Sequence, residues 1–203
     1  NLARVIAVME NYIKQSPAEY MWFYKIWKYS KEAVVKIVTD GKSGHLRQAE
    51  AIASLLKAAL AERGVTAKLP IVKVNFKNRM LSRVCSVFSV PANMLHSRGR
   101  QWLLRLCLTE DSYLQMMSIK PDFIISCGSA VAPINFLLSQ EYDAKNIVIL
   151  KPGILSFQRF DLVALPRHDV KKKRWPLGPQ GWPANVVVTH GAPNLITQQL
   201  SLI

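Results

Sequence analysis

The sequence predicts an α/β fold, a doubly wound parallel sheet of the Rossmann-like kind with a helical appendage at its N-terminus. Short runs rich in β-branched residues recur along the chain, and segments with apolar residues every three or four positions separate them. Strands that alternate with helices favour a parallel sheet covered on both faces. A length of 203 residues leaves room for one domain and an appendage, which we place at residues 33–203 and 1–32.

Residues 1–32 are predicted to form a separate helical unit. Apolar residues recur at helical spacing in its first part, at Leu2, Val5, Ile6, Met9, Tyr12 and Ile13. Ser16 and Pro17 then end this helix and begin a second one rich in aromatic residues and lysines. That composition suits both a membrane interface and docking on another domain. Because the chain starts with Asn1 and stops inside an apparent helix start, we expect it to be part of a longer protein.

Six strand-like runs follow, at residues 33–39, 65–74, 122–126, 147–150, 162–165 and 186–189. A helical pattern lies after the first run, over residues 46–60, and Gly64 marks its end. Residues 77–118 indicate two or three helices, interrupted at Pro91 and around Gly99. Another helix is predicted from Ser129 to about Tyr142.

Four turns follow predicted strands, at residues 40–45, 126–129, 150–153 and 189–194. Ligands of open α/β sheets bind beyond the carboxyl ends of the strands, so these turns are candidate site segments that would face one crevice. In the first turn, Gly41 and Gly44 allow a tight bend, and the following helix N-terminus can cradle phosphate. Lys42 adds a cation and His45 can move a proton. The turn matches neither a P-loop nor the full G-x-G-x-x-G pattern, and a strand–glycine–helix turn also occurs without a ligand.

The other three turns contribute Cys127, Gly128 and Ser129, then Lys151, then His190 and Gly191. Each also has a purely structural interpretation, with Ser129 as a helix cap and the glycines as short connections. No histidine is placed by sequence to activate Cys127 as a nucleophile. The three cysteines show no metal-binding spacing, which indicates buried thiols in a reducing cytosol, and no cofactor motif is visible.

The net charge of +14 is unevenly distributed. The segment that starts at Arg63 and ends at Thr109 contains nine Lys and Arg residues, Arg63 included, and no Asp or Glu, which indicates an anionic partner such as a phosphate-bearing substrate or acidic lipid. A solvated basic face is the alternative. Nucleic acid is not expected, because no helix-turn-helix or RNP motif is present. No apolar run reaches eighteen residues, so we expect no transmembrane helix.

Part of this basic region also carries an apolar stripe, formed by Met80, Leu81, Val84, Cys85, Val87 and Phe88 and continued by Trp102, Leu103, Leu104, Leu106 and Leu108. One interpretation is a pair of core helices with basic outer faces. The other is a surface that lies on an anionic bilayer.

The stretch "ENYIKQSPAEYMWFYKIWKYSKE" resembles the C-terminal end of the late acyltransferases of lipid A biosynthesis. The catalytic His-x-x-x-x-Asp motif of that family is absent, so residues 1–32 are not expected to transfer acyl groups.

A second resemblance covers about residues 34–197. The segments "TDGKSGHLRQAEAIASLL", "KPDFIISCGSAVAPINFLL", "NIVILKPG", "FDLVALPRHD" and "NVVVTHGAPNLIT" resemble, in that order, the bacterial family named after the plant mitochondrial fission protein Elm. Its members are regarded as glycosyltransferases of GT-B architecture, and older descriptions called them nucleoside-diphosphate-sugar epimerases. The resemblance implies that this chain is the N-terminal, acceptor-side half, while a missing C-terminal half grips the nucleotide sugar.

By the same resemblance, Asp40 and His45 are the candidate catalytic bases. The candidate substrate-binding residues are Gly41, Lys42, Ser43, Gly44, Cys127, Gly128, Ser129, Lys151, His190 and Gly191. The expected function is sugar transfer from a nucleotide sugar to an anionic lipid-linked or lipopolysaccharide-core acceptor, in lipopolysaccharide or cell-envelope glycolipid synthesis. The protein is expected to be peripheral at the cytoplasmic face of the bacterial inner membrane. The isolated chain is expected to be inactive. Two alternatives stay open: an epimerase-like enzyme that binds a dinucleotide, and a non-enzymatic membrane adaptor.

Overall fold

The computed structural model describes residues 2–16, 31–90, 101–171 and 183–194. The chain divides into two compact units, Asn1–Lys31 and Glu32–Ile203. In the first unit, helix α1 spans Leu2–Gln15 and buries none of its residues. The second helix predicted for this unit, the breaks at Pro91 and Gly99, and the segment after Asn194 lie outside the described residues.

The second unit alternates strands and helices. Its strands are β1 Glu32–Thr39, β2 Thr66–Lys68, β3 Ile71–Lys73, β4 Phe123–Cys127, β5 Lys145–Ile149, β6 Leu162–Pro166 and β7 Val186–Thr189. Its helices are α2 Ser43–Glu62, α3 Arg79–Ser89, α4 Gln101–Cys107, α5 Glu110–Met117, α6 Ala132–Tyr142 and α7 Arg167–Lys171, with a 3-10 turn at Phe157–Arg159.

The seven strands form one sheet in the order β2-β1-β4-β5-β6-β7, and β3 also pairs with β1. Every pairing between these strands is parallel. The predicted fold class, an α/β Rossmann-like parallel sheet, is therefore confirmed. The order places the carboxyl ends of β1, β4 and β5 next to one another.

The single strand predicted over residues 65–74 is wrong in one respect, because it is split into β2 and β3. Both pieces pair with β1, β2 along its first residues and β3 along its last. The break falls at Leu69 and Pro70, since proline has no N–H to give to the ladder. The Pro70 carbonyl still accepts a hydrogen bond from the Ile37 amide at 2.9 Å.

Helices pack on both faces of the sheet. On one face, α2 lays Ala49 and Ala53 against Val35 and Ile37 of β1, and these small side chains let the helix approach closely. The other face is covered by α3, α4, α5 and α6, whose buried residues include Cys85, Leu103, Met116 and Ile134. The two cores hold the strand ends in fixed positions.

Lys36 interrupts the apolar pattern of β1 and is fully buried. Its ammonium donates to the carbonyls of Met116 and Ile119, both at 2.5 Å. These carbonyls lie at the C-terminal end of α5, where the intrahelical donors run out. Lys36 thus ties α5 to the central strand, and burial lowers its pKa from 10.5 to about 8.

Candidate active site

The turn after β1 is built by side-chain oxygens that bond to nearby backbone amides. Thr39 Oγ1 accepts from the Gly41 amide at 3.1 Å, and Asp40 Oδ1 accepts from the Lys42 amide at 3.2 Å. Gly41 has φ +83°, a conformation that favours glycine. Lys42 is the N-cap residue of α2 but supplies no side-chain cap, so the first amides of this helix are not capped by it.

Asp40 and His45 form a hydrogen-bonded pair at this turn. His45 Nδ1 lies 3.2 Å from both carboxylate oxygens of Asp40. An ionised carboxylate only accepts hydrogen bonds, so Nδ1 carries the proton and Nε2 is the nitrogen left for other chemistry. Among the described residues, Nε2 has no hydrogen-bond partner.

The charge of Asp40 is maintained by its neighbours. Burial acts to raise the pKa of this carboxyl group, but the Lys42 amide, the Lys42 ammonium and His45 together hold it below the ordinary value. The Lys42 ammonium lies 3.2 Å from Asp40 Oδ2. Asp40 is therefore ionised at neutral pH and orients the imidazole of His45.

The turn after β4 closes over the His45 ring. Gly128 has φ +94°, and a Cβ atom there would lie 2.9 Å from Cε1 of His45. The ring of His45 thus occupies space that only a glycine leaves open. The Gly128 amide donates to the Ile149 carbonyl at 2.9 Å, which fixes this turn against the end of β5.

The turn after β5 continues the same edge. Gly153 has φ +73°, and a Cβ atom there would lie 3.2 Å from Cβ of Ser129. Lys151 is exposed in this turn. The prediction that the turns after β1, β4 and β5 converge is therefore confirmed by their contacts.

The turn after β7 lies at the same edge of the sheet, but farther from β1. His190 and Gly191 follow β7, which is four strand positions from β1 in the sheet. At a spacing of about 4.8 Å between strands, that separation is roughly 19 Å. That His190 and Gly191 share one crevice with the other three turns, and that they bind substrate, stay predictions.

Two structural roles expected from the sequence are also wrong. Gly44 lies inside α2 without a positive φ, and nothing surrounds the position of its missing Cβ within 4 Å, so the turn does not depend on it. Ser129 does not cap α6, since the N-cap residue is Val131. Ser43 is the first residue of α2 and is exposed. Substrate binding by Ser43, Gly44 and Ser129 stays a prediction.

Cys127 is buried at the end of β4, and its thiol contacts Gln48 Oε1 of α2 at 3.8 Å. Burial, together with the charge of Asp40, raises the pKa of this thiol to about 12. A thiol that stays protonated is a poor nucleophile, which agrees with the sequence interpretation. The contact with Gln48 instead joins the turn after β4 to α2.

Lys73, at the end of β3, is a residue of this edge that the sequence did not indicate. A Cβ atom at Gly41 would lie 2.7 Å from Lys73 Cε and 3.5 Å from its ammonium nitrogen. The contact follows from the register that pairs Thr39 with Lys73. A lysine at the end of a short strand was the available signal, but the register was needed to place it beside Gly41.

Comparison with known protein families decides the classification of the chain. A family model described as Mitochondrial fission ELM1 matches residues 43–201. The chain belongs to this family. No curated protein and no solved structure gives a significant match.

The ELM1 match includes His45, Cys127, Gly128, Lys151 and His190, and begins just after Asp40, Gly41 and Lys42. It does not reach residues 1–32, so their acyltransferase-like origin stays a prediction. In the described parts of this ELM1 chain, no three His, Cys, Asp or Glu side chains are grouped to hold a metal ion. No described helix is long and apolar enough to cross a bilayer.

Proposed function

We propose that this ELM1-family chain is the acceptor-side half of a GT-B-type glycosyltransferase. The observation that carries the proposal is the Asp40–His45 pair at the carboxyl edge of the sheet, in which Nε2 of His45 has no hydrogen-bond partner among the described residues. The family membership and the parallel sheet support it. The acceptor is an anionic lipid-linked molecule of the bacterial cell envelope, at the cytoplasmic face of the inner membrane.

In the proposed reaction His45 is the general base. Nε2 takes the proton of an acceptor hydroxyl, and the hydroxyl oxygen forms a bond to the anomeric carbon of the sugar. The bond from that carbon to the nucleoside diphosphate breaks, and the diphosphate leaves with the electron pair. Asp40 holds the ring in the tautomer that exposes Nε2 and stabilises the imidazolium ion that forms.

The cations at this edge would bind the phosphate of the acceptor. Lys42 is paired with Asp40, whereas the ammonium of Lys73 has no ion-pair partner among the described residues. The donor, a nucleotide sugar, is bound in this proposal by a separate C-terminal half. The 203-residue chain by itself would bind acceptor without turning it over.

The epimerase-like alternative fits the site less well. A dinucleotide fold places an acid after the second strand to hold the ribose. Glu62, the acid nearest to that spacing, is the last residue of α2, and β2 ends at Lys68. Between β1 and α2, Gly41 is the one glycine with a positive φ, whereas the dinucleotide fingerprint requires several glycines in this turn.

The test is turnover by the complete gene product that contains this chain, with radiolabelled nucleotide sugars and a bacterial lipid extract as acceptor. His45→Gln should lower kcat by roughly 10²- to 10⁴-fold, since it removes the base. Asp40→Asn should lower it less and shift the pH profile, because the ring loses its ionised partner.

The matched control is His168→Gln, which changes an exposed histidine of α7 that is paired with Asp169 at 3.7 Å and follows β6, three strand positions from β1. It should leave kcat unchanged. Turnover by His45→Gln at the level of the unmodified protein would contradict the assignment of the base. If the unmodified protein transfers no sugar yet binds lipid vesicles, the adaptor alternative replaces the proposal.

A further inference from the structure

Helices α3 and α4 divide their apolar residues between two sides. Cys85, Leu103, Leu104 and Cys107 are buried against the sheet. The outer sides nevertheless carry large exposed apolar side chains, namely Met80 (75%), Val87, Phe88, Trp102 (58%) and Leu106. The interpretation of α3 and α4 as a pair of core helices thus explains the buried residues. It does not explain why the large apolar side chains on the outer sides are exposed.

The exposed residues follow the helical repeat. Met80, Arg83 and Val87 are three and four positions apart on α3, and Trp102 and Leu106 are four positions apart on α4, which puts each set on one side of its helix. Arg79, Arg83 and Arg105 are exposed among them. None of these three arginines forms a salt bridge with a described residue.

These outer sides belong to helices that are firmly held. Asn78 caps α3 by accepting from the Leu81 amide at 2.8 Å. At the other end of α3, the Arg159 guanidinium donates to the carbonyls of Ser89 and Val90. Lys77 donates to the Arg105 carbonyl at 2.9 Å and so links the start of α3 to α4. Because these hydrogen bonds hold both helices in place, their apolar side chains are exposed on a surface of fixed structure.

We infer that this surface of α3 and α4, the α3–α4 surface, docks on an anionic lipid bilayer. Its charge is complementary to acidic head groups, because no Asp or Glu occurs between Arg63 and Thr109. Aromatic and aliphatic side chains interleaved with arginines fit the interface of a bilayer, where rings and methyl groups enter the acyl boundary while guanidinium groups stay among head groups. In this proposal the attachment is peripheral.

The position of α3 connects the α3–α4 surface with the candidate site. α3 begins a few residues after β3, which ends at Lys73 beside Gly41. A bilayer held at α3 would therefore lie near the edge where the proposed acceptor binds. The inference itself does not depend on sugar transfer, because vesicle binding is measured without any nucleotide sugar.

The experiment measures partition of the full 203-residue chain onto phosphatidylcholine vesicles with and without phosphatidylglycerol. The chain should bind the anionic vesicles and lose affinity as salt is added. Arg79→Gln/Arg83→Gln and Phe88→Ser/Trp102→Ser should each lower the partition coefficient at least about tenfold.

Matched controls lie on α2 and its end, which pack on the opposite face of the sheet. Lys57→Gln/Arg63→Gln removes the same charge as the arginine pair, and Leu55→Ser changes an apolar side chain that is 67% exposed. Both should bind as the unmodified chain does. Unfolding midpoints establish that each variant is folded.

A second readout needs no disruptive change. Brominated lipid quenches tryptophan fluorescence at the acyl boundary, and part of that quenching should disappear in Trp102→Phe while binding is kept. Equal partition of test and control variants, together with unchanged quenching in Trp102→Phe, would show that another part of the chain, such as the exposed apolar side of α1, binds the bilayer. A concentration-dependent dimer abolished by Phe88→Ser/Trp102→Ser would show a protein interface. Either outcome would overturn the inference.

Discussion

Polar side chains at the two edges of the sheet differ in how fully they are hydrogen-bonded to other protein groups. At the amino edge, a cavity of about 310 Å³ lies beside the start of β5 and β6. There the Asn146 side-chain amide donates to Ser139 Oγ at 2.9 Å and to the Arg159 carbonyl at 3.1 Å, while its oxygen accepts from the Asp161 amide at 2.7 Å. Asp161 is itself bonded to Lys145 and to the Asn146 amide.

At the carboxyl edge, His45 uses one ring nitrogen, and the part of the chain that the structure describes offers no hydrogen-bond partner to the other. The Lys73 ammonium has no ion-pair partner among the described residues, and two glycines provide space for neighbouring side chains. The presence of a cavity alone would point to the amino edge. The unused hydrogen-bonding groups instead indicate the carboxyl edge as the ligand site. Polar groups that bond to one another stabilise a fold and have little capacity left for a ligand.

The largest effect that would sharpen this comparison is expected from Asn146→Ala at the amino edge. Asn146 is buried, and its removal takes one hydrogen bond each from Ser139 Oγ, the Arg159 carbonyl and the Asp161 amide. The hydroxyl keeps its bond to the Phe136 carbonyl, and the amide keeps its bond to the backbone carbonyl of residue 146. We expect a loss of about 3 kcal/mol in the free energy of unfolding, measured by urea titration. Gln158→Ala, an exposed residue of the same cavity, should change it by less than about 0.5 kcal/mol. Equal free energies of unfolding for the two variants would contradict the stabilising role of the hydrogen bonds at the amino edge.

At the carboxyl edge, Gly128→Ala should cost about 2 kcal/mol and displace the ring of His45. An alanine at φ +94° is strained, and its Cβ would meet His45 Cε1. The imidazole NMR signals of His45, identified by comparison with His45→Gln, should shift. Gly44→Ala is the control, since that helical position is open and alanine should stabilise it by about 0.5–1 kcal/mol. Unchanged His45 signals in Gly128→Ala would contradict the proposed fit of the ring.

A smaller effect is expected from Lys36, a buried polar group of neither edge. Its pKa is about 8 in the fold and 10.5 for the ordinary side chain, so the folded state releases its proton first as pH rises. The free energy of unfolding should therefore increase between these two values and stay level below the lower one. From pH 7.5 to 9.5 we expect a gain of about 1–2 kcal/mol relative to Lys36→Met, which cancels the titration of other groups. A difference that is independent of pH would contradict the lowered pKa.

The sequence predicted the strands well, because β-branched runs such as residues 122–126 and 147–150 match β4 and β5 closely. The order of the strands was beyond it, and that order separates His190 from His45. The pairing of Asp40 with His45 was also beyond it, although both were named as candidate bases. Only the bend at Gly41 and the closure by Gly128 bring the ring and the carboxylate into contact.

The contacts of Lys36 and Lys73 could not be predicted from the sequence. Within an apolar run, Lys36 reads as an exposed charge, and its burial depends on two carbonyls at the end of α5, about eighty residues later. Lys73 reaches Gly41 only because β3 pairs with β1 in the observed register. In both cases the partner is set by tertiary packing, which local patterns do not encode.

Chemical labelling of Lys36 would also measure local opening of the fold around β1. Acylating reagents modify the uncharged form of a lysine amine that they can reach. Packing shields Lys36 completely, so labelling has to wait until α5 leaves β1. The rate at which Lys36 acquires label, read by mass spectrometry, would therefore time the detachment of that helix.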